Sequence, residues 1–290
     1  MKAISIINYK GGVGKTTITA NLAAGLVLLG KRVLVIDLDP QTNLTFSFID
    51  VVEWEKKYEK DKTIKFWFDS IIDMKPVPSF SDLIVKKNGI DIICSHLGLI
   101  DVDIDLSTEL AGNARQIKTK FIKVYSFIRN ELAKLSDEYD VVLFDCPPNF
   151  SIVTKNAMIA SDYYLVPAKM DFLSTLGINH LRNRVNEFVK EYNENSENVV
   201  VSPKFLGVVA TMISVRDGVP IKAQQTYIGQ LKNSNIAMFK SMIRENKTIY
   251  ADAPHDSQPV ITQYHSSGTY ADVVEELQEL TREFVRKAGV

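Results

Sequence analysis

The chain has 290 residues, of which 46% are hydrophobic, 24% charged and 9% aromatic, a composition that excludes disordered, fibrous and disulfide-stapled proteins. Its formal net charge is -1, so the chain as a whole has no bulk attraction to nucleic acid or to an acidic membrane. No apolar stretch near the start approaches the roughly 20 residues of a membrane-spanning helix, and no signal peptide is recognisable there. We therefore expect a cytoplasmic protein.

Short apolar runs alternate with longer helix-period segments along the chain. The predicted strands are Ala3–Ile7, Val33–Ile36, Ile90–Ile93, Val141–Phe144, Tyr163–Val166 and Phe205–Thr211. The predicted helices are Thr16–Leu29, Arg115–Leu135, Leu173–Tyr192, Ile221–Leu231 and a terminal helix over Ala271–Val290. This alternation predicts an α/β fold over residues 1–290, with one doubly wound, mostly parallel sheet and helices on both of its faces. Ligands bind at the carboxyl ends of the strands in such folds.

One segment disturbs the alternation between the second and third predicted strands. Residues Val51–Lys65 are mixed in charge, with Trp54 and Tyr58 interleaved, which predicts a surface helix inserted in that connection. A solvated insertion and a partner-docking element both remain open for it.

A glycine-rich segment, NYKGGVGKTT, follows the first strand and opens the first helix, which is the context of a phosphate-binding loop. Its backbone N–H groups and the helix N-terminus can converge on phosphate oxygens, while Lys15 supplies a full charge and Thr16 a hydroxyl for Mg²⁺. The predicted nucleotide-binding residues of the loop are Gly11, Gly12, Val13, Gly14, Lys15, Thr16 and Thr17. The standard pattern begins with a glycine where this chain has Tyr9, and Lys10 follows it as an extra cation.

Carboxylates stand at the ends of two neighbouring strands. Asp145 ends an apolar strand, where we expect it to orient Mg²⁺ together with Thr16. Asp37 and Asp39 lie two residues apart and so share a face if the strand stays extended. A turn role for Asp39 before Pro40 remains an alternative.

The segments K-G-G-V-G-K-T-T, I-D-L-D-P-Q-T-N, V-V-L-F-D-C-P-P and Glu245–Val260 resemble the deviant Walker ATPases, the family that includes ParA, Soj and MinD, over nearly the whole chain. The resemblance implies ATP and Mg²⁺ as ligands and a homodimer formed with ATP. It also implies that Asp39 handles the attacking water, that Asp37 supports the metal region beside Thr16 and Asp145, and that Lys10 reaches phosphates held by the partner subunit. Lys10, Lys15 and Asp39 are thus the predicted catalytic residues. By alignment with the family, the base-binding positions are Met212, next to Thr211 at a strand end, and Arg244, in the loop around Ile243. A core position remains the alternative for Met212.

Basic residues accumulate between Lys204 and Tyr250, where seven bases stand against two acids. ParA and Soj carry their DNA-contacting bases in this region, so the resemblance implies binding of nonspecific double-stranded DNA through Arg216, Arg244 and Lys247. The implied function is partitioning or positioning of a plasmid, a chromosome or another cargo at the nucleoid, with hydrolysis stimulated by a ParB-like adaptor. A plain solvated surface remains the alternative for these bases.

Three other functions are weighed against partitioning. A MinD-like ATPase at a membrane surface needs a basic amphipathic terminal helix, whereas Ala271–Val290 carries five acids against three bases, so we expect no membrane partner. Cluster carriers need paired cysteines, which Cys94 and Cys146 do not provide. A noncatalytic scaffold would not need the intact Lys10, Lys15, Thr16, Asp39 and Asp145. The cargo and the adaptor are not identified by the sequence.

Overall fold

In the computed structural model, which describes residues 1–111, 113–216, 218–250, 257–263 and 267–290, a long sheet runs through the middle of the molecule. Its strands are β1 (Lys2–Ile6), β2 (Val33–Asp37), β3 (Val85–Lys87), β4 (Ile90–Ile93), β5 (Val141–Asp145), β6 (Tyr163–Lys169), β7 (Lys204–Ile213) and β10 (Met238–Arg244). Their spatial order is β10-β7-β6-β1-β5-β2-β4-β3, and every neighbouring pair is parallel except β3 with β4. Two short strands, β8 (Val215–Arg216) and β9 (Val219–Pro220), form a separate hairpin.

Helices cover both faces of this sheet. They are α1 (Lys15–Leu28), α2 (Asn43–Phe46), α3 (Val51–Lys57), α4 (Ile64–Ile72), α5 (Phe80–Leu83), α6 (Leu99–Glu109), α7 (Ala114–Tyr125), α8 (Phe127–Lys134), α9 (Ile152–Ala160), α10 (Phe172–Asn195), α11 (Lys222–Asn233) and α12 (Gly268–Ala288), with a 3-10 turn at Val260–Thr262. One core lies between the sheet and the side of α1 and α12, and the other lies against α4 and α6 to α10. The predicted doubly wound α/β architecture is confirmed.

The central strands are continuously apolar because both of their faces are covered. All five residues of β2 and all five of β5 are buried. Their register pairs Asp37 with Asp145, and Ile6 at the end of β1 also pairs with Asp145. The two aspartates therefore emerge side by side at the edge of the sheet where the glycine-rich loop begins.

The segment Val51–Lys65 is not the single surface helix that its charge pattern predicted. Helix α3 ends at Lys57 and α4 begins at Ile64. Trp54 is 7% exposed and packs edge-on against Phe46, with 5.5 Å between the ring centroids. Trp54 belongs to the core, whereas Val51, Val52 and the charged residues 55–57 and 60–61 are exposed, so the segment lies on the surface and is anchored to the core by Trp54.

Two further predictions differ from the structure. The helix expected over Arg115–Leu135 is divided at Ser126, whose hydroxyl donates to the Ile122 carbonyl and bonds the Tyr192 hydroxyl. Arg244, expected in a loop, is the last residue of strand β10. None of the helices in the described part of the chain has the length and hydropathy of a transmembrane segment.

Candidate functional site

The glycine-rich loop between β1 and α1 has the backbone that its sequence requires. Gly12 and Gly14 have φ angles of 64° and 83°, in the left-handed region that favours glycine. The side chain of Lys15 is buried and folds back over the loop, where its Nζ donates to the carbonyl of Asn8 at 3.2 Å and lies 3.4 Å from that of Lys10. Burial lowers the pKa of Lys15, and Asp145 and Asp39 oppose that shift. The loop thus surrounds a positive charge, as phosphate binding demands.

The structure brings Thr16 and Asp145, the predicted metal residues, into direct contact beside this loop. The Thr16 hydroxyl donates to Asp145 Oδ2 at 2.7 Å, and Thr19, which the sequence analysis missed, donates to Oδ1 at 3.1 Å. Burial raises the pKa of Asp145 to about 7; the hydrogen bond from Thr16 opposes the shift and Asp39 adds to it. A hydroxyl beside a buried carboxylate is an oxygen pair that suits Mg²⁺. Within the described residues, no group of three or more His, Cys, Asp or Glu could hold a metal, so an Mg²⁺ here would need ligands from phosphate and water.

Asp37 and Asp39 do different things, although both lie at the end of β2. Asp37 is fully buried, and its Oδ2 accepts hydrogen bonds of 2.8 Å from both the backbone N–H and the hydroxyl of Thr45. Its Oδ1 accepts from the Asp39 N–H at 3.1 Å. Burial, followed by repulsion from Asp145, raises the pKa of Asp37 well above its usual value. In this arrangement Asp37 shapes the loop, and direct coordination of a metal would require it to give up these bonds.

Hydrogen bonds from Ser95 and Gln41 fix the position of Asp39 after strand β2. Its carbonyl accepts a hydrogen bond of 2.8 Å from the Ser95 hydroxyl, and its Oδ1 accepts from the Gln41 N–H at 3.0 Å. Among the residues that the structure describes, none donates to Oδ2. That oxygen is therefore available to a water molecule near the phosphate loop.

Lys10 does not point into its own phosphate loop. Its Nζ forms an ion pair of 2.8 Å with Asp171 Oδ2 and donates to the Ser174 hydroxyl at 3.2 Å. Asp171 is the N-cap of α10 and also accepts from the Ser174 N–H. The sequence analysis missed Asp171, although an aspartate just beyond a strand end is the signal that identified Asp39.

A cavity of about 330 Å³ opens beside the loop at the ends of β7 and β10. The predicted base-binding residues Met212 and Arg244 both line it, together with Gly14 and Thr17 of the loop. The Thr211 hydroxyl donates to the Val13 carbonyl at 2.8 Å and ties the end of β7 to the loop. The position and size of this cavity fit a nucleotide base and ribose.

The predicted DNA-contacting residues are placed differently from one another. Arg244 donates to Glu276 Oε1 at 2.8 Å and to Asp272 Oδ2 at 3.0 Å, so two carboxylates of α12 neutralise its charge inside the cavity. This pairing counts against Arg244 as a DNA contact. Lys247 is exposed at the rim of the same cavity, and Arg216 is exposed on the β8–β9 hairpin. Residues 251–256 of the terminal motif lie outside the described residues.

Comparison with known proteins agrees with this geometry. A family model described as an AAA domain matches residues 1–198. The chain is 27% identical over 279 residues to the sporulation initiation inhibitor protein Soj of Bacillus subtilis, covering 95% of this chain and 98% of Soj. It is also 27% identical over 263 residues to the chromosome partitioning protein ParA of Caulobacter vibrioides, covering 90% of this chain and 86% of ParA.

Two solved structures share the fold. An ATP complex of a Cyanothece McdA variant superposes with a TM-score of 0.73 at 22% identity, covering 100% of this chain and 97% of McdA. Cobyrinic acid a,c-diamide synthase from Mycobacterium smegmatis, with bound ATP analogue and magnesium, superposes with a TM-score of 0.65 at 24% identity, covering 88% of this chain and 92% of that one.

Proposed function

This chain belongs to the AAA domain family, in its ParA/MinD branch of partition ATPases, and from that premise we propose that it hydrolyses ATP with Mg²⁺ as a nucleotide-dependent dimer. The ATP-bound dimer binds nonspecific double-stranded DNA at the nucleoid and positions a plasmid, chromosome or other cargo. A ParB-like adaptor stimulates the hydrolysis that releases it.

The main support for the proposal is that the two lysines of the loop, Lys10 and Lys15, make different contacts. Lys15 is buried at the carbonyls of the chain's own loop, whereas Lys10 leaves that loop for Asp171. A cation that does not serve its own phosphates can serve those of a second copy once its ion pair with Asp171 opens, as an arginine finger does. Hydrolysis then depends on dimerisation.

The remaining groups of the site have separate tasks in this proposal. Thr16 and Asp145 would hold an Mg²⁺ ion, which would supply neutralisation of charge on the phosphate oxygens. Asp39 orients the attacking water through the oxygen that accepts no bond from described residues. Asp37 keeps that loop in place through Thr45. Lys15 stabilises charge that develops on the transferred phosphoryl group.

Helix α12 favours this function over one at a membrane surface. Its apolar residues Leu277, Leu280 and Phe284 are at most 1% exposed because they pack against the sheet. Its carboxylates Glu276 and Glu283 bind the backbone of β10. A helix whose apolar face is buried in this way has no such face left for lipid.

The test is binding of nonspecific double-stranded DNA with ATP, with ADP and without nucleotide, at two salt concentrations. We expect binding with ATP, weakened by salt, because phosphate contacts release counterions. The double variant Arg216→Glu/Lys247→Glu should lose it. The matched control, Lys56→Glu/Lys60→Glu, changes the charge equally at exposed lysines outside the basic segment and should bind normally. Absence of binding in every nucleotide state would refute the DNA part of the proposal while leaving the ATPase part standing.

A further inference from the structure

Met212 has a backbone conformation that ordinary side chains rarely adopt. Its φ angle is 52°, in the left-handed region, and it lies next to the last residue of β7. It also lines the cavity of about 330 Å³ that fits a nucleotide base. In the left-handed region Cβ comes close to the following carbonyl oxygen, which costs free energy. A residue stays in such a conformation only where its surroundings hold it there.

The side-chain amide of Gln224 binds the backbone on both sides of Ile213. Its Nε2 donates to the Met212 carbonyl at 3.1 Å, and its Oε1 accepts from the Ser214 N–H at 2.9 Å. The carbonyl of Ile213 accepts from the Glu245 N–H at 3.0 Å. The amide of Gln224 is planar, so its two bonds fix two peptide groups relative to each other. They therefore determine the course of the chain where it leaves Met212.

Gln224 does not make the contact that its position on helix α11 predicts. It is the third residue of this helix, where a glutamine commonly accepts from the backbone N–H of the N-cap residue. The N-cap residue, Ile221, donates its N–H to the Ser214 carbonyl at 3.0 Å instead. The Gln224 amide is thereby left for the end of β7. Its helix neighbours Ala223 and Gln225 are exposed, whereas Gln224 is half-buried against the strand.

We propose that Gln224 is a positioning residue for nucleotide binding. Its amide holds Met212 in the left-handed conformation, and that conformation shapes the wall of the cavity that receives the base. The role rests on the proposed function, because it takes this cavity as the base site. Without the amide, Met212 relaxes towards an extended or right-handed backbone. Only the fraction of molecules that keeps the original conformation then binds the base, and the apparent affinity falls in proportion to that fraction.

Calorimetric titration of the full chain with ADP and Mg²⁺ measures this effect, and ADP avoids the dimerisation expected with ATP. Gln224→Ala should weaken ADP binding about tenfold, because the left-handed conformation of one ordinary side chain costs free energy of that order. Gln224→Glu keeps an acceptor for Ser214 but has no donor for the Met212 carbonyl, so it should also bind ADP more weakly than wild type. The matched control is Gln225→Ala, which removes an amide that donates to the Pro220 carbonyl. It should bind ADP like wild type.

A second substitution, at Met212 itself, separates positioning from a merely structural role of Gln224. Glycine adopts positive φ angles as readily as negative ones, whereas alanine does not. In a Met212→Gly background, Gln224→Ala should weaken ADP binding by less than about threefold. In a Met212→Ala background, which also lacks the methionine side chain, it should still weaken binding about tenfold. Equal effects in the two backgrounds would overturn the proposal.

Amide hydrogen exchange, followed by NMR without nucleotide, reads the backbone directly. The Glu245 N–H bonds the Ile213 carbonyl, so its exchange rate reports whether the end of β7 keeps its course. This N–H should exchange faster in Gln224→Ala than in wild type, and Met212→Gly added to that variant should restore slow exchange. An unchanged rate in Gln224→Ala would overturn the proposal.

The ADP titration also separates the failure of this proposal from the failure of the proposed function. If wild type binds ADP and Gln224→Ala binds it equally well, the role of Gln224 is refuted while the nucleotide site stands. If wild type binds no ADP, the proposed function is refuted together with the nucleotide role of Gln224.

Discussion

Among single residues, Lys10 is the one whose contacts we expect to change most between the single chain and the proposed dimer. Its ammonium group is paired with Asp171 at 2.8 Å. We expect Lys10→Ala to abolish hydrolysis and ATP-dependent dimerisation while monomeric ATP binding persists, because Lys15 and the glycine backbone remain. A loss of about 10³-fold or more matches the contribution of trans-acting cations in related phosphate chemistry. Turnover assays, light scattering with ATP and nucleotide titration measure the three properties.

The matched variant is Asp171→Asn, which removes the charge of the partner but leaves Lys10 in place. In this variant the Lys10 ammonium group has no ion pair with residue 171 to break before it reaches a second copy of the chain. This variant should dimerise with ATP at least as well as wild type. Wild-type turnover in Lys10→Ala would eliminate the trans-acting role.

Asp145 gives the protein without nucleotide a particular pH dependence. Burial raises the pKa of Asp145 to about 7, above the unfolded value of 3.8, so the folded state binds the proton more tightly. Its contribution to stability is therefore full below the unfolded pKa of 3.8 and is lost as the pH rises from there through about 7. Each unit of pKa difference corresponds to about 1.4 kcal/mol. Thermal unfolding between pH 4 and 8 should show this loss in wild type and a flatter profile in Asp145→Asn.

Added ATP with Mg²⁺ provides the second arm of that measurement. A cation beside Asp145 favours its charged form, so the ligands should stabilise wild type more at pH 7 than at pH 5. Identical pH profiles for wild type and Asp145→Asn would show that the pKa of Asp145 is the same in the folded and the unfolded state.

Among the secondary-structure elements, the terminal helix α12 covers the edge of the sheet formed by strand β10 and accepts hydrogen bonds from its backbone. Strand β10 is the last strand of the sheet, and its outward N–H groups at Lys240 and Ser241 donate to Glu283 at 2.9 Å. A hydrogen bond to a charged group contributes about 1.5–3 kcal/mol to stability. We expect Glu283→Ala to lower the free energy of unfolding by about 2 kcal/mol, measured by urea denaturation. Glu279→Ala, exposed on the same helix, should have little effect.

The elements also show how far the sequence alone could lead. Strand Ile90–Ile93 was predicted with the observed bounds, and the other five predicted strands agree within three residues of the observed ends, because buried parallel strands are continuous apolar runs. Strand β10 was missed because lysine and serine interrupt the apolar residues of its sequence, MFKSMIR. The N–H of Lys240 at its outer edge donates to Glu283, which lies far away in the sequence. The break at Ser126 also depends on a partner far away in sequence, Tyr192.

The candidate site divides in the same way. The glycine-rich loop and Asp145 were evident from local sequence, because strand, glycines, lysine and helix follow one another directly. Ser95 could not be identified, since it acts through a contact with Asp39, 56 positions away. Asp171 lies at a recognisable strand end, but its pairing with Lys10, 161 positions away, could not be foreseen. Sequence could likewise not show that Asp272 and Glu276 neutralise Arg244.

At the scale of the whole molecule, charge is distributed unevenly along the sheet. The basic segment Lys204–Tyr250 contains β7, α11 and β10, so its cations lie at one end of a protein whose net charge is -1. A single copy offers few phosphate contacts, and pairing two copies doubles them while the second contact becomes intramolecular. Tight DNA binding should therefore follow dimerisation and not the cations alone.

This reasoning predicts that Lys10→Ala loses ATP-dependent DNA binding although every residue of the basic segment is intact. The slope of log affinity against log salt should also differ, because each phosphate neutralised contributes about -0.9. Wild type with ATP should have about twice the slope of wild type with ADP. Equal slopes and equal affinity for Lys10→Ala and wild type with ATP would mean that one copy carries the whole DNA surface, and dimerisation would then serve hydrolysis alone.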